Sequence, residues 1–230
     1  MKHNAVRSFA LILALTSALG LFAPAPAASA SAVLQPCGDR AYTLLSGMKW
    51  DTTLKWSFQA SSTPRNIPKG AAALRLQRAA RTVATGRNRC GLVSHDTAHQ
   101  QYLGRTTAHP NILPNGWCGR PDGHSTVGFG TLPAADLALT CYWSRNDVLV
   151  ESDIMFNKAD YRFTAHVSPG CHMTWALRAV ATHEFGHAFG LGHVRDPLNE
   201  HLTMAPYIYP CQSSESRLGL GDVLGIEALY

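Results

Sequence analysis

The chain has 230 residues, a formal charge of +5 at neutral pH, and 46% hydrophobic against 15% charged residues. That balance fits a globular protein; with no dense Lys/Arg run, the weak basicity gives no footprint for nucleic acid. No apolar segment after residue 32 is long enough to cross a membrane, so no stable membrane association is expected.

Met1 to about Ala32 reads as a signal peptide. Lys2 and Arg7 supply a positive start, and Phe9 to Phe22 is a mostly apolar run of fourteen, short of the roughly 20 residues that span a bilayer. Ala28-Ser29-Ala30 and Ala30-Ser31-Ala32 both offer small-residue cleavage sites. Leu34-Gln35-Pro36-Cys37 is only a faint lipoprotein box, with the wrong residues before the cysteine, and lipidation is not expected. Cleavage would leave 198 residues, 33–230, enough for one domain with a sizeable core, and a charge of +3. An exported chain with six cysteines, Cys37, Cys90, Cys118, Cys141, Cys171 and Cys211, is expected to hold three disulfides. Sequence does not choose among the fifteen pairings; Cys37–Cys90, Cys118–Cys141 and Cys171–Cys211 is taken as the expectation.

Leu54, Trp56 and Phe58 alternate within Trp50 to Ala60, which reads as a first strand. Pro68 to about Thr85 reads as a helix, with Leu76, Ala80 and Val83 on one apolar stripe and Gly86 at its stop. Its Arg75, Arg78 and Arg81 read as a solvated face. His95 and His99 are four apart but lack helical periodicity and a third ligand, so they read as surface histidines. Pro110 to Gly130 is rich in Gly, Pro and Asn and reads as a long loop. Asp136 to Ser144 and Asp147 to Asn157 are strand candidates, with Arg145-Asn146 as the turn of a hairpin.

Cys171 to Phe189 reads as the helix that carries the chemistry. It leads into His183-Glu184-Phe185-Gly186-His187-Ala188-Phe189-Gly190-Leu191-Gly192-His193. Helical positions four apart share a face with Cβ atoms about 5–6 Å apart. His183 and His187 can therefore both reach one zinc ion at about 2.0–2.1 Å. Glu184 projects roughly 100° around the helix, where a general base can lean over an open coordination position. Gly190 can turn the chain so that His193 closes a three-histidine site with a fourth position left for water. Leu220 to Tyr230 reads as a short closing helix with Val223, Ile226 and Leu229 inward.

The stretch matches the H-E-x-x-H-x-x-G-x-x-H signature of metzincin zinc peptidases at every specified position. Met204, eleven residues after His193 in Leu202-Thr203-Met204-Ala205-Pro206-Tyr207, resembles the methionine turn of that family, and Pro206 resembles the matrixin branch. The likeness runs from about Trp50 to Tyr230. It implies an α+β metzincin (zincin-like) fold: a mixed twisted sheet, an active-site helix, and a small C-terminal subdomain after the glycine turn. That gives an upper part of about 33–190 and a lower part of about 191–230. It also implies that the first hairpin strand is the edge strand above the cleft.

The resemblance further implies zinc on His183, His187 and His193, Glu184 as the base that activates a zinc-bound water, and Met204 as the floor. Pro206, Tyr207, Ile208 and Tyr209 would line the pocket for the side chain after the cleaved bond. Structural calcium would be in keeping with the family, but no ligand set is legible, and His124 and His166 do not match its structural-zinc pattern. Cys118-Gly119-Arg120-Pro121-Asp122 resembles the family's cysteine switch, yet it lies within the domain and reads as a disulfide cysteine. Only about fifteen residues separate the signal from the first strand, which leaves no propeptide of the usual size.

The expectation is a secreted, extracellular, monomeric zinc endopeptidase that acts on proteins or peptides. The alternatives are a catalytically silent zinc-binding adhesion or partner-binding module, which has no need of Glu184, and a zinc hydrolase specialised for cell-wall peptides.

Overall fold

The computed structural model describes residues 35–93, 98–194 and 197–230. The expected signal peptide and His95 of the His95/His99 pair lie outside the described residues.

The strands are β1 (Thr43–Leu44), β2 (Leu54–Phe58), β3 (Gln100–Arg105), β4 (Ser125–Gly130), β5 (Ala138–Arg145), β6 (Val148–Asn157), β7 (Phe163–Thr164), β8 (Trp175–Ala176) and β9 (Leu191–Gly192). The helices are α1 (Lys69–Ala84), α2 (Leu177–Ala188) and α3 (Leu220–Leu229). Five strands form the main sheet in the order β3-β2-β4-β6-β5. All neighbours are parallel except β5, which runs antiparallel to β6 at one edge. This is the expected mixed α+β architecture, with the expected edge strand.

The period of two in β2 does what it predicts: Leu54, Trp56 and Phe58 are buried and Lys55 is exposed. Those side chains meet α1 and α2, which pack on each other and on the sheet. Leu76, Ala80 and Val83 of α1 are fully buried, and Trp56 meets Phe185 of α2 edge-on at 5.1 Å between ring centroids.

Three boundaries differ from the sequence reading. The Gly-rich stretch is a loop only as far as His124; Ser125–Gly130 is a central strand, buried on both faces. Its glycines give room rather than turns. A Cβ on Gly128 would come within 2.9 Å of the Gln59 amide oxygen, and one on Gly130 would strike Met155. The hairpin turn is Asn146-Asp147, one residue later than read, and both residues take the left-handed conformation of a two-residue hairpin loop, with φ of 53° and 62°. The zinc-motif helix begins at Leu177, because Trp175–Ala176 pairs with Phe163–Thr164 instead.

The disulfides pair as expected: Cys37–Cys90, Cys118–Cys141 and Cys171–Cys211. Cys118 is thus a loop anchor to β5. Glu151 and Asp153 of β6 hold the same loop, accepting main-chain N–H bonds from Asp122 and Gly123, and from Asn111. No helix among the described residues is long and apolar enough to cross a membrane.

Candidate active site

α2 is built so that its C-terminal turn can stop in place. The last carbonyls of a helix lack intrahelical partners. Here the Trp50 indole N–H bonds the Ala188 oxygen at 2.8 Å, and the Tyr230 hydroxyl bonds the Phe189 oxygen at 3.0 Å. Gly190 then turns the chain with φ of 101°, a region L side chains rarely adopt. A Cβ at this position would run into the Met48 carbonyl oxygen. The chain proceeds into β9, which pairs antiparallel with β1, and this sets the position of His193. Gly190→Ala is therefore expected to cost about 2 kcal/mol or more. That would lower the thermal midpoint by about 4–8 °C, measured by calorimetry, and disturb His193.

The three histidines converge. Their Nε2 atoms lie 3.1 Å apart for His183–His187 and 3.0 Å for each of the two pairs with His193. The Nδ1 of His183 donates to the Thr203 carbonyl at 2.7 Å, and that of His187 to the Leu191 carbonyl at 2.8 Å. A carbonyl only accepts, so the proton sits on Nδ1 and each of these Nε2 atoms presents a lone pair. The lone pairs of His183 and His187 face one another at hydrogen-bond distance with no proton to share, and His193 Nε2 closes on both, a donor set that suits a cation. A tetrahedral centre with bonds of about 2.0–2.1 Å would hold its donors about 3.3–3.4 Å apart, close to this spacing. Burial and the neighbouring imidazoles push His183 well below the usual histidine range. Burial and His193 push His187 down to about 4, so both rings stay neutral. The three side chains run from buried through half-buried to exposed, His193 being open to solvent.

Glu184 is 5% exposed, and its Oε2 accepts a 2.6 Å hydrogen bond from the Thr140 hydroxyl on the edge strand β5. Burial raises its pKa to about 7; the Thr140 bond opposes this and the Asp136 charge adds to it. Beneath the histidines, Met204 is buried against Gly186 of α2, where a Cβ would collide with its sulfur. The chain at Thr203 and Met204 is held by a residue that the sequence reading overlooked. Asp222, in the first turn of α3, accepts main-chain N–H bonds from Thr203 at 2.8 Å, Met204 at 3.0 Å and Gly219 at 2.7 Å. Its signal was visible as an acid three residues into a helix, the position that reaches back to the helix start.

A cavity of about 550 Å³ joins these groups. Its lining includes the three histidines, Glu184, Ala138 to Thr140 of β5, and Pro206, Tyr207, Ile208 and Tyr209. Ile208 is half-buried, while Pro206, Tyr207 and Tyr209 are exposed at the rim. Trp175 fixes that wall by donating its indole N–H to the Ile208 oxygen at 3.0 Å, and it stacks edge-on with Tyr161 at 5.0 Å. Cys171–Cys211 ties the far end of the same loop. His124 and His166 are exposed and lie away from this cavity's lining.

A family model for matrixins matches residues 44–230. The chain belongs to the matrixin family. No curated protein matches it. As a matrixin, it is a zinc-dependent metallopeptidase, and its substrates are proteins or peptides. The histidine triad is in keeping with the zinc this family uses, and the three disulfides are consistent with an extracellular protein.

Proposed function

We propose that this matrixin is a secreted endopeptidase, exported by residues 1–32, in which Glu184 is the proton-transferring group and His183, His187 and His193 are the zinc ligands. The observation that carries the reading is the convergence of three histidine Nε2 atoms beside one buried carboxylate at the floor of an open cleft. Zinc, when bound, supplies Lewis acidity that polarises a carbonyl and brings water's acidity near neutral pH.

The chain's own residues do the rest. A substrate in extended form lies along the free edge of β5, adding a strand whose main-chain hydrogen bonds hold it in register. Its side chain after the scissile bond enters the space bounded by Pro206, Tyr207, Ile208 and Tyr209. Thr140 fixes Oε2 of Glu184 and leaves Oε1 to take the proton of the attacking water. The same carboxyl then hands that proton to the departing amine, which must leave protonated. A carboxyl whose pKa is held up by burial suits both roles, because it can accept and release a proton near neutral pH.

The test is hydrolysis of a quenched, mixed-sequence peptide library, with cleavage sites read by mass spectrometry. Internal cleavage that a zinc chelator abolishes and added zinc restores is the expected result. Trimming from chain ends only, or cleavage indifferent to the chelator, would overturn the reading.

A further inference from the structure

A second cavity, of about 490 Å³, lies where the start of α2 meets α1 and the segment before α3. Four arginines line it: Arg75 from α1, Arg89, Arg178 from the first turn of α2, and Arg217. Ser213, Ser214, Ser216, Thr164 and His166 are its other polar lining residues. The fold forces this crowding. Asn88 bridges to Leu218, with N–H to oxygen bonds from Arg89 to Leu218 and from Leu218 to Arg87, which draws Arg87 and Arg217 alongside each other.

Arg89 is the compensated member. It donates to the His201 carbonyl, and Glu215 and Asp222 are its charged neighbours. The others are not balanced in this way. Among the described residues, Arg75, Arg78, Arg87, Arg178 and Arg217 form no ion pair. Arg178 is half-buried; it donates to Thr82 at 3.2 Å, while its buried Nε–H has no partner. Burial, and then Arg78, Arg217, Arg75 and Arg87, lower its pKa, with no carboxylate acting in the other direction. α2 also begins here with no side-chain cap and no acidic residue in its first turn, so the positive end of its dipole adds to the same field. The Arg75, Arg78 and Arg81 face is thus only partly a solvated one: Arg78 and Arg81 are exposed, but Arg75 turns into the cavity.

A like-charged cluster in a concavity costs free energy unless an anion completes it. We propose that this pocket is a binding site for an anionic tetrahedral ester group, phosphate or sulfate, carried on a polyanion and gripped by Arg75, Arg178 and Arg217, with the Ser213 and Ser216 hydroxyls as further donors, that of Ser214 being given to Glu215. Arginine forks match such groups with paired N–H bonds. The lining holds no Phe, Tyr or Trp on which a base could stack, which disfavours a nucleic-acid strand. The site is separate from the cleft, so it stands whether or not the peptidase assignment holds.

The test is calorimetric titration of the zinc-loaded protein at constant ionic strength with myo-inositol hexasulfate and, in a parallel arm, myo-inositol hexakisphosphate. The sulfate arm binds zinc poorly and so separates pocket binding from metal stripping. The expected result is saturable one-to-one binding in at least one arm, and the arms distinguish the two ester types. Arg178→Gln and the exposed Arg217→Gln should each weaken binding about tenfold or more, while Lys55→Gln, a charge removed from the sheet, should not. Without ligand, neither arginine variant should melt below the parent, because each relieves repulsion. Absence of saturable binding in both arms would overturn the proposal, as would equal weakening by Lys55→Gln.

Discussion

Glu184→Gln is expected to lower kcat/KM for peptide hydrolysis by roughly 10²–10⁴-fold, about 3–5 kcal/mol of transition-state stabilisation, while leaving zinc content unchanged. The amide keeps the shape of the carboxyl and can still accept the Thr140 hydroxyl's bond, now 2.6 Å long to Oε2. It cannot take a proton from water or return one to the amine. The split between activity and metal content is the discriminating feature. His187→Ala should lose both, because it removes one of three converging donors. A silent zinc-binding module would show no hydrolysis in the parent chain, so the substitution would have nothing to change. Initial rates on a quenched peptide together with metal analysis of the same samples check the prediction. A variant with near-parental turnover would show that Glu184 is not the proton carrier.

Asp222→Ala is expected to have the largest effect on stability. Its carboxylate is 1% exposed and accepts three main-chain N–H groups, from Gly219, Thr203 and Met204. Alanine leaves all three buried without an acceptor, at about 1–3 kcal/mol each before relaxation. A total of about 3–5 kcal/mol is reasonable, since such losses are not additive. The damage should reach the histidines. Thr203, whose N–H Asp222 holds, offers its carbonyl to His183 Nδ1 at 2.7 Å, and loss of such a partner costs about 10–100-fold in metal affinity. Asp222→Asn should fall between the parent and alanine. Its single oxygen can serve Gly219 and Thr203, while its NH₂ faces the Met204 N–H. Calorimetric unfolding and zinc competition titrations on the two variants check both parts. An alanine variant that melts with the parent would contradict the role given to Asp222.

The features legible in the sequence are those whose cause is local. The spacing of His183 and His187 follows from the helical period, and the need for Gly190 follows from the turn that His193 requires. The alternation in Leu54, Trp56 and Phe58 and the stripe in α1 follow from burying one face. What was misread or missed depends on partners distant in sequence. The glycines of β4 looked like turn formers because nothing local reveals that Gln59, Pro110 and Met155 press against them. Thr140 is an ordinary strand residue until α2 places Glu184 beside it, 44 positions away. Trp50 and Tyr230 only bound a strand segment and a helix in the sequence, yet their polar ends finish α2. The arginines of α1 looked solvated because Arg178 and Arg217 join them only through tertiary packing.

The proposed chemistry depends on a zinc centre made by His183, His187 and His193. Zinc quantitation combined with X-ray absorption at the zinc edge tests it most directly, on the parent chain, His193→Ala and Glu184→Gln. One zinc per parent chain is expected, in a shell containing three imidazole nitrogens, with a parent-like shell in Glu184→Gln and one imidazole fewer, with weakened retention, in His193→Ala. A parent shell containing thiolate or fewer than three imidazoles, or one that His193→Ala leaves unchanged, would contradict it.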